Sequence, residues 1–392
     1  MKILCAVEDT SSHLTDVRLR KILTSWAIRC GSEVQFKNLP DCDGVSIAWS
    51  DIVVIQRVTE PYAMWVAIGA KQLGKKVIFE IDDLLTDFPD FFSSHKARLA
   101  GYASGLKRML PYVDCVTVTT EKLAKEFPAP NRAIVVIPTC TDDDDLGNVD
   151  FNTWQNDRAT LIVASSDNVR VDFILEAIKS IILRSDIVVS IVVIGPIGAA
   201  FEKVGIKFDM VPKMSYSEFK AFIRTINNPI GLIPLDESTF SSCKSPIKYI
   251  DYSFAGIPVI CSNVLPYSVV VENNGNGLLV ANDTFSWIRA IESLVQCVDI
   301  RMLIAKQAHS FVKNSYGLDN GIDQWNGLFI KLATAGFYNG KPQVTLTIRA
   351  KIVYIRFLLS QMYSLTAYRA AFKILKRDGL RAFAARLIRG LL

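Results

Sequence analysis

The stretch IGLIPLDESTFSSCKSPIKYIDYSFAGIPVI, residues 230–260, contains the local pattern that decides the fold. An apolar run at 230–234 predicts a buried strand, and a polar loop follows it. Ser245 is then predicted as a helix N-cap, Pro246 suits the first helical position, and Gly256 predicts the end of the helix. A second apolar run follows at once. Strand, helix and strand in this order predict a parallel βαβ unit and therefore an α/β sheet.

The same alternation extends through most of the chain. Strands are predicted at Ile3–Val7, Glu33–Phe36, Ile52–Ile55, Val77–Ile81, Cys115–Val118, Ala133–Ile137, Leu161–Ala164, Val188–Ile194, Phe208–Val211, Ile230–Pro234, Val259–Cys261 and Gly277–Val280. The polar stretch Pro138–Gly147 has no such pattern and is the best linker candidate. We therefore expect two Rossmann-like, doubly wound domains at 1–150 and 151–320, which face each other across a cleft. A helix near 320–335 should cross back and begin a C-terminal helical extension at 321–392.

Composition restricts the class of protein. The chain has 392 residues, and 50% of them are hydrophobic, which suffices for two globular cores. Its eight cysteines lack metal-ligand spacing and it has only three histidines, so we expect reduced cysteines and no zinc site. No apolar run is long enough to span a membrane, and no leader precedes the first strand. These features predict a cytoplasmic protein.

Positive charge is concentrated near the C-terminal end. Residues 341–392 contain eleven Lys and Arg and a single acid, Asp378, whereas the whole chain has a net charge of +5. Within 345–392, basic residues alternate with Phe, Leu and Ile at helical spacing. Such helices bind anionic membrane surfaces, so we expect peripheral association with the inner face of the cell membrane; packing on the N-terminal domain or an oligomer contact is the alternative. Nucleic acid is not an expected partner, since the remaining chain is acidic and has no nucleic-acid motif.

Lys244 and Lys248 flank the predicted start of the helix within the opening stretch. The free N–H groups of a helix N-terminus favour an anion, and two lysines there add charge that suits a diphosphate. Asp251 lies three residues after Lys248, so both side chains can share one helix face. A carboxylate in that position could accept hydrogen bonds from ribose hydroxyls. The pattern predicts a site for a nucleoside diphosphate.

Residues 230–290 resemble the C-terminal domain of the large family of retaining glycosyltransferases with the GT-B fold, the glycosyl transferases group 1. The resemblance lies in KSPIKYID at Lys244–Asp251, AGIPV at 255–259, NGNGLLV at 274–280, and Trp287. It implies a GT-B fold for nearly the whole chain. It also implies that Lys248 contacts the donor phosphates and that Asp251 contacts the ribose.

The loop after the seventh predicted strand is similar to the donor-binding loop of that family. The residues concerned are Ser165, Ser166 and Asn168. The chain departs from the family pattern at two positions. Ser165 stands where a glycine is usual, and Cys243 stands where the family has a glutamate that contacts the sugar. Lys244 or Ser242 is a candidate to replace that contact.

Charged residues also follow two predicted strands of the N-terminal domain. Arg57 follows the third strand, and Asp82 and Asp83 follow the fourth, so all three should lie at the cleft. Asp82 or Asp83 is a candidate to orient an acceptor hydroxyl or take its proton, and Arg57 could hold a phosphate. The structural alternative is that Asp82 pairs with Arg57 while Asp83 caps a turn. His13, after the first strand, is a further candidate for acceptor binding.

These features predict transfer of a sugar from a nucleoside diphosphate sugar to a hydroxyl of a glycan or lipid-linked acceptor, in bacterial surface polysaccharide synthesis. The resemblance implies retention of the anomeric configuration. No metal cofactor is expected, because lysines and the helix dipole can stabilise the leaving diphosphate. A metal-binding interpretation of Glu80–Asp82 fits two Rossmann-like domains poorly, and the run Asp142–Asp145 lies at the link between the domains, where we expect a solvated hinge and not a calcium loop. A sugar-nucleotide epimerase of similar fold and a non-catalytic homologue that scaffolds polysaccharide assembly stay open as alternatives, whereas a dehydrogenase would need a Gly-x-Gly-x-x-Gly that is absent.

Overall fold

The computed structural model describes residues 1–59, 61–87, 101–129, 132–141, 154–165 and 172–334. These residues form two parallel six-stranded sheets, one from each half of the chain. We call the part that builds the first sheet the first half and the part that builds the second sheet the second half. Among the described residues, no helix is both long and apolar enough to cross a lipid bilayer.

The first sheet contains β1 Lys2–Val7, β2 Glu33–Asn38, β3 Ile52–Gln56, β4 Lys76–Glu80, β5 Cys115–Val118 and β6 Ala133–Val136. The spatial order is β2-β1-β3-β4-β5-β6. The direction of winding reverses between β1 and β3, which both pair in parallel. Ligands of open α/β sheets bind at such a reversal, outside the carboxyl ends of the strands.

The second sheet contains β7 Arg158–Ala164, β8 Val188–Ile194, β9 Asp209–Val211, β10 Pro229–Ile233, β11 Val259–Ser262 and β12 Leu278–Val280. Its order, β12-β11-β10-β7-β8-β9, reverses between β7 and β10. This is the strand order of a dinucleotide-binding Rossmann domain. The two Rossmann-like sheets predicted from the alternation of strands and helices are therefore present.

Helices separate the strands in both halves. In the first half they are His13–Thr15, Lys21–Arg29, Gly44–Trp49, Pro61–Gln72, Tyr102–Met109 and Glu121–Glu126, with a π-helical turn at Asp16–Arg20 and 3-10 turns at Leu39–Asp41 and Leu110–Tyr112. The helices that follow β7 in the chain are Asp172–Ile182, Gly198–Lys203, Tyr216–Ile223, Thr239–Ser242, Ile247–Phe254, Thr284–Gln296, Val298–Tyr316 and Leu318–Thr334, with a 3-10 turn at Tyr267–Val269.

Each sheet is buried on both faces. In β1, Leu4 and Ala6 belong to one apolar cluster, while Ile3, Cys5 and Val7 belong to the cluster on the opposite face. Successive side chains of a strand point to opposite faces, so a strand covered on both sides reads as a continuous apolar run. The apolar runs of the sequence reflect this two-sided burial.

The helix Leu318–Thr334 returns to the first half. Its Trp325 and Phe329 are fully buried in the same cluster as Trp26 of helix Lys21–Arg29, and the Trp26 and Phe329 ring centroids lie 4.8 Å apart. The last described segment of the chain therefore packs on the sheet that the chain built first.

The start of the helix in the opening stretch differs from the prediction. The helix begins at Ile247, its N-cap residue is Pro246, and no side chain caps it. The Ser245 hydroxyl instead donates to Thr139 Oγ1 in the first half, at 3.0 Å. The predicted Ser245 N-cap is therefore wrong, because a contact between the halves takes that hydroxyl. Gly256 has a φ of 68° and ends the helix as predicted.

The predicted linker also begins in a structured region. Thr139 and Thr141 are buried, and the Thr141 amide donates to the carbonyl of Tyr316 at 3.0 Å. The acidic run Asp142–Asp145 and the rest of the linker prediction lie outside the described residues.

Candidate functional site

A cleft of about 410 Å³ lies between the two halves. Asp9, Ser12 and His13, which follow β1, line one side, and Tyr216 and Lys220 line the other. A second cavity, of about 290 Å³, adjoins it at Asp9 and Ser12 and extends to Gln56 and Arg57, at the ends of β1 and β3. Both cavities thus open at the carboxyl edge of the first sheet, where the winding reverses.

The loop before helix Ile247–Phe254 is docked on the first half. Phe240 and Cys243 are buried in an apolar cluster of that half. Thr120, from the first half, donates its hydroxyl hydrogen bond to the carbonyl of Cys243 at 3.0 Å. The Lys244 ammonium lies 4.7 Å from the centroid of the Phe240 ring, within the range of a cation–π interaction. These contacts place Lys244 of the predicted donor site beside the first half.

Cys243 is fully buried among apolar side chains. Burial raises the pKa of its thiol to about 11, so the thiol stays neutral. Its position is that of the sugar-contacting glutamate in the family pattern, but this side chain packs against the first half. Of the two candidate replacements, Ser242 donates its hydroxyl to the carbonyl of Ser238 at 2.9 Å, and Lys244 lies over Phe240.

Asp251 lies in the middle of helix Ile247–Phe254 and is only 6% exposed. The Tyr216 hydroxyl donates a hydrogen bond to its Oδ1 from across the second half. Burial raises the pKa of Asp251 to about 7, against the opposing effects of the Tyr216 hydrogen bond and of Lys220 and Lys248. The carboxyl group predicted to bind ribose is therefore present in both protonation states near neutral pH.

Ser165, which follows β7, is buried, and its amide donates to the carbonyl of Ile194 at 3.1 Å. Gly195 has a φ of 87°, and a Cβ there would lie 2.4 Å from the Ser165 carbonyl oxygen. The close approach at this loop therefore requires a glycine at 195, directly after the neighbouring strand β8. Ser166 and Asn168 lie outside the described residues, so their predicted donor contacts stay predictions.

The predicted charged cluster of the first half forms around Arg57. One Arg57 nitrogen lies 3.1 Å from an Asp82 carboxylate oxygen, and another lies 3.2 Å from Asp83. Among the described contacts, the Asp83 side chain binds Arg57 and does not cap a turn. Burial raises the pKa of Asp82 above its usual range, with Arg57 opposing the shift and Asp83 reinforcing it. A carboxyl group poised in this way suits proton transfer.

The Arg57 backbone is held in a conformation that side-chain-bearing residues rarely adopt. Its φ is 63°, in the left-handed region. Its amide donates to the carbonyl of Glu80, and its carbonyl accepts from the Tyr102 hydroxyl, both at 2.8 Å. Such strain persists where the surroundings fix it, which is frequent at functional sites. The two hydrogen bonds fix the backbone from which the guanidinium reaches both aspartates.

One buried ion pair was not anticipated as part of the site. Arg18 and Glu80 are both buried, at 2% and 0% exposure, and their Nε and Oε1 atoms lie 2.8 Å apart. Arg18 also donates to Thr139 Oγ1, the atom that accepts from Ser245. The available signals were an arginine between apolar Val17 and Leu19 and a glutamate that ends an apolar run.

His13 lies at the cleft, with its ring centroid 6.4 Å from that of Tyr216. Burial lowers its pKa, and nearby Lys213 and Arg57 lower it further while Asp16 opposes them. The lowered pKa favours the neutral form of the His13 ring. No group of three or more His, Cys, Asp or Glu that could hold a metal ion occurs within the described ranges.

Comparison with known proteins gives matches at the level of structure. No family model and no curated protein matches the sequence. A sucrose-phosphate synthase from Thermosynechococcus elongatus matches with a TM-score of 0.62 and 14% identity, over 85% of this chain and 99% of that one. Anabaena HepE in complex with UDP-glucose matches with a TM-score of 0.59 and 13% identity, over 84% of this chain and 100% of that one. The lipopolysaccharide outer core galactosyltransferase WaaB matches with a TM-score of 0.57 and 13% identity, over 85% of this chain and 100% of that one.

These neighbours share one architecture, and at such low identities the likeness concerns the fold. The chain has the GT-B fold, as predicted: two parallel-sheet domains with a cleft between them.

Replacement of Asp251 should reveal how much its buried carboxylate lowers the stability of the folded chain. Its pKa is about 7 in the folded chain against an ordinary 3.8, so the folded state binds the proton more tightly. Stability therefore falls as pH rises between these values. We expect Asp251→Asn, which keeps an acceptor for Tyr216, to have a Tm several degrees above wild type near pH ~8. The difference should shrink as pH falls toward ~4.

Scanning calorimetry at both pH values measures this effect. Asp209→Asn, at an exposed position on β9, is the matched control and should leave the Tm unchanged. An Asp251→Asn variant that is no more stable than wild type at the higher pH would contradict the raised pKa.

Proposed function

We propose that this chain is a glycosyltransferase that moves a sugar from a nucleoside diphosphate sugar to a hydroxyl acceptor. The observation that carries the proposal is the docking of the Lys244 loop beside the charged cluster at Arg57. The Thr119 hydroxyl donates to the carbonyl of Asp82 at 3.1 Å, and the adjacent Thr120 hydroxyl donates to the carbonyl of Cys243 at 3.0 Å, so the start of the donor helix and the acidic cluster are neighbours. A cationic diphosphate site next to a carboxyl pair suits sugar transfer, because the cations can stabilise the leaving diphosphate and a carboxylate can orient or deprotonate the acceptor hydroxyl.

The donor would lie in the second half, at the reversal between β7 and β10. Lys248 and Lys244 would bind the diphosphate together with the free N–H groups at the start of helix Ile247–Phe254. Asp251 would accept a hydrogen bond from a ribose hydroxyl, and Ser165, Ser166 and Asn168 would complete the loop around the phosphates. The HepE structures that contain UDP and UDP-glucose support a nucleotide sugar of this class.

The chemistry follows from where charge develops. As the bond between the sugar and the diphosphate breaks, negative charge grows on the leaving phosphate, and the two lysines and the helix dipole stabilise it without a metal. Asp82 or Asp83 would orient the acceptor hydroxyl or take its proton, with Arg57 and His13 as acceptor contacts. By resemblance, transfer would retain the anomeric configuration. The lipopolysaccharide outer core galactosyltransferase WaaB, as a structural neighbour, supports a glycan or lipid-linked acceptor in bacterial surface polysaccharide synthesis.

Lys248→Ala should abolish sugar transfer and leave the protein folded, because it removes the cation that stabilises the leaving diphosphate. The first step is a calorimetric screen of nucleoside diphosphates, followed by product analysis with the matching sugar donor. Lys203→Ala, at an exposed position in the second half, is the control and should retain activity.

The outcomes separate the alternatives. Unchanged turnover in Lys248→Ala would sink the assignment of the donor site. A free, altered nucleotide sugar as the product without any acceptor would favour an epimerase. Failure of wild type to bind any nucleoside diphosphate would favour a non-catalytic scaffold.

Asp82→Asn should bind UDP like wild type and lose transfer, because it removes the proton acceptor while the donor helix is untouched. Transfer by wild type should increase with pH as Asp82 ionises, since its pKa is raised by burial. Asp83→Asn, which alters the other Arg57 partner, should keep the increase with pH but move it to lower pH, because the Asp83 charge helps to raise the pKa of Asp82. A pH profile for Asp82→Asn that matches wild type would exclude Asp82 as the base.

Residues 345–392 would hold the enzyme at the anionic inner face of the membrane, where a lipid-linked acceptor is found. This segment lies outside the described residues, and the argument rests on its basic amphipathic sequence. We expect the full chain to float with liposomes that contain anionic lipid, and a chain without 345–392 to be absent from the floated fraction. Neutral liposomes are the control; equal flotation of both proteins would defeat the proposal.

A further inference from the structure

A continuous set of polar contacts runs from the first sheet to the start of the donor helix. We propose that Arg18 is a positioning residue for the nucleotide site: by holding Thr139, it fixes Ser245 and with it the start of helix Ile247–Phe254. The inference rests on the proposed function only for the chemical class of the ligand, a nucleoside diphosphate.

The first step is the ion pair itself. Arg18 and Glu80 are almost completely buried, and Glu80 has no described hydrogen-bond partner on Oε2. Removing two charges from water is costly for each ion, and an apolar pair of the same size is often at least as stable. Stability alone therefore explains this pair poorly. A role in geometry explains it better, because the guanidinium is a rigid fork that can bind several acceptors at fixed angles.

The second step is the turn that carries Arg18. Residues Asp16–Arg20 form a π-helical turn between the helices His13–Thr15 and Lys21–Arg29. Such turns are rare in proteins, but those that occur often lie at functional sites. The wider turn changes the direction in which its side chains point. Here Arg18 is buried, whereas Arg20 of the same turn is 37% exposed and pairs with Asp16.

The third step is the set of hydrogen bonds that the Arg18 guanidinium donates. While Nε binds Glu80 at the end of β4, Nη2 donates to the Ile137 carbonyl at 3.1 Å and Nη1 donates to Thr139 Oγ1 at 3.3 Å. The two terminal nitrogens thus hold the chain where it leaves β6 toward the second half. Arg18 joins the end of one strand to the loop that follows another.

The fourth step crosses between the halves. Thr139 Oγ1 accepts from Arg18 and also from the Ser245 hydroxyl, so both of its lone pairs are used. Ser245 lies between Lys244 and Pro246, directly before the helix that starts at Ile247. Its hydroxyl can either cap that helix or bind Thr139, and in the structure it binds Thr139. The contact therefore sets the position of the helix start relative to the acidic cluster.

A double-mutant cycle tests this with the full-length chain and UDP, or the best-bound nucleoside diphosphate of the screen, as the probe. Thr139→Val and Ser245→Ala each remove one hydroxyl, and each should weaken binding about three- to tenfold, the effect of one neutral hydrogen bond. The double variant should bind no more weakly than the weaker single variant, because both changes break the same contact. Thr139→Ser restores the hydroxyl and should bind like wild type.

Arg18→Lys keeps the charge opposite Glu80 but loses the planar guanidinium that donates to several acceptors at once. It should weaken nucleotide binding to the level of Thr139→Val. Arg20→Lys, in the same turn, is the matched control and should have no effect. If Ser245→Ala weakens binding as much in the Thr139→Val background as in wild type, Ser245 contacts the ligand directly and the proposal is overturned.

Thermal unfolding of the same four proteins of the cycle, without nucleotide, separates this inference from the proposed function. Coupling between the two hydroxyls in unfolding, together with no nucleoside diphosphate binding by wild type, would support the contact and reject the function. Additive effects in both unfolding and binding would reject the inference while leaving the function in place.

Discussion

A parallel strand can present its carboxyl end at only one edge of its sheet, and this constraint assembles the site. Residues at 9–13, 56–57 and 80–83 are far apart in sequence, yet all follow strands of the first sheet and meet at that edge. In the second half, β7 and β10 are neighbours where the winding reverses, so their carboxyl ends lie side by side. A cleft between the two edges is the result, and the GT-B fold is the architecture that places it there.

Two buried carboxyl groups contact residues that line this cleft and the adjoining cavity: Asp251 accepts from Tyr216, and Asp82 pairs with Arg57. Asp82 and Asp251 each have a pKa raised by burial, and each is opposed by nearby cations, Arg57 for the first and two lysines for the second. Such groups reduce stability in their ionised form, so they are retained where they have another role. Their placement on opposite halves fits a division in which one half binds the donor and the other half handles the acceptor. The left-handed Arg57 backbone, fixed by two hydrogen bonds, adds local strain to the same region.

The sequence predicted the features that depend on local pattern. Two-sided apolar runs indicated the strands, and the spacing of Lys248 and Asp251 indicated a shared helix. It failed where distant contacts override local preference. Ser245 has the propensity of an N-cap, but its hydroxyl is bound by Thr139, which is 106 residues away in the chain. Cys243 is equally unpredictable, because its environment is supplied by the first half. Arg18 could be noticed as a charge among apolar neighbours, but its partner Glu80 is known only from the fold.

The most direct test of the proposed donor site is a crystal structure of the chain in complex with UDP or with the nucleoside diphosphate that it binds best. We predict the diphosphate at the start of helix Ile247–Phe254, within hydrogen-bond distance of Lys248. The ribose should bind Asp251 in place of, or beside, the Tyr216 hydroxyl that occupies it now. A nucleotide bound away from this helix, with the contact between Asp251 and Tyr216 unchanged, would contradict the assignment.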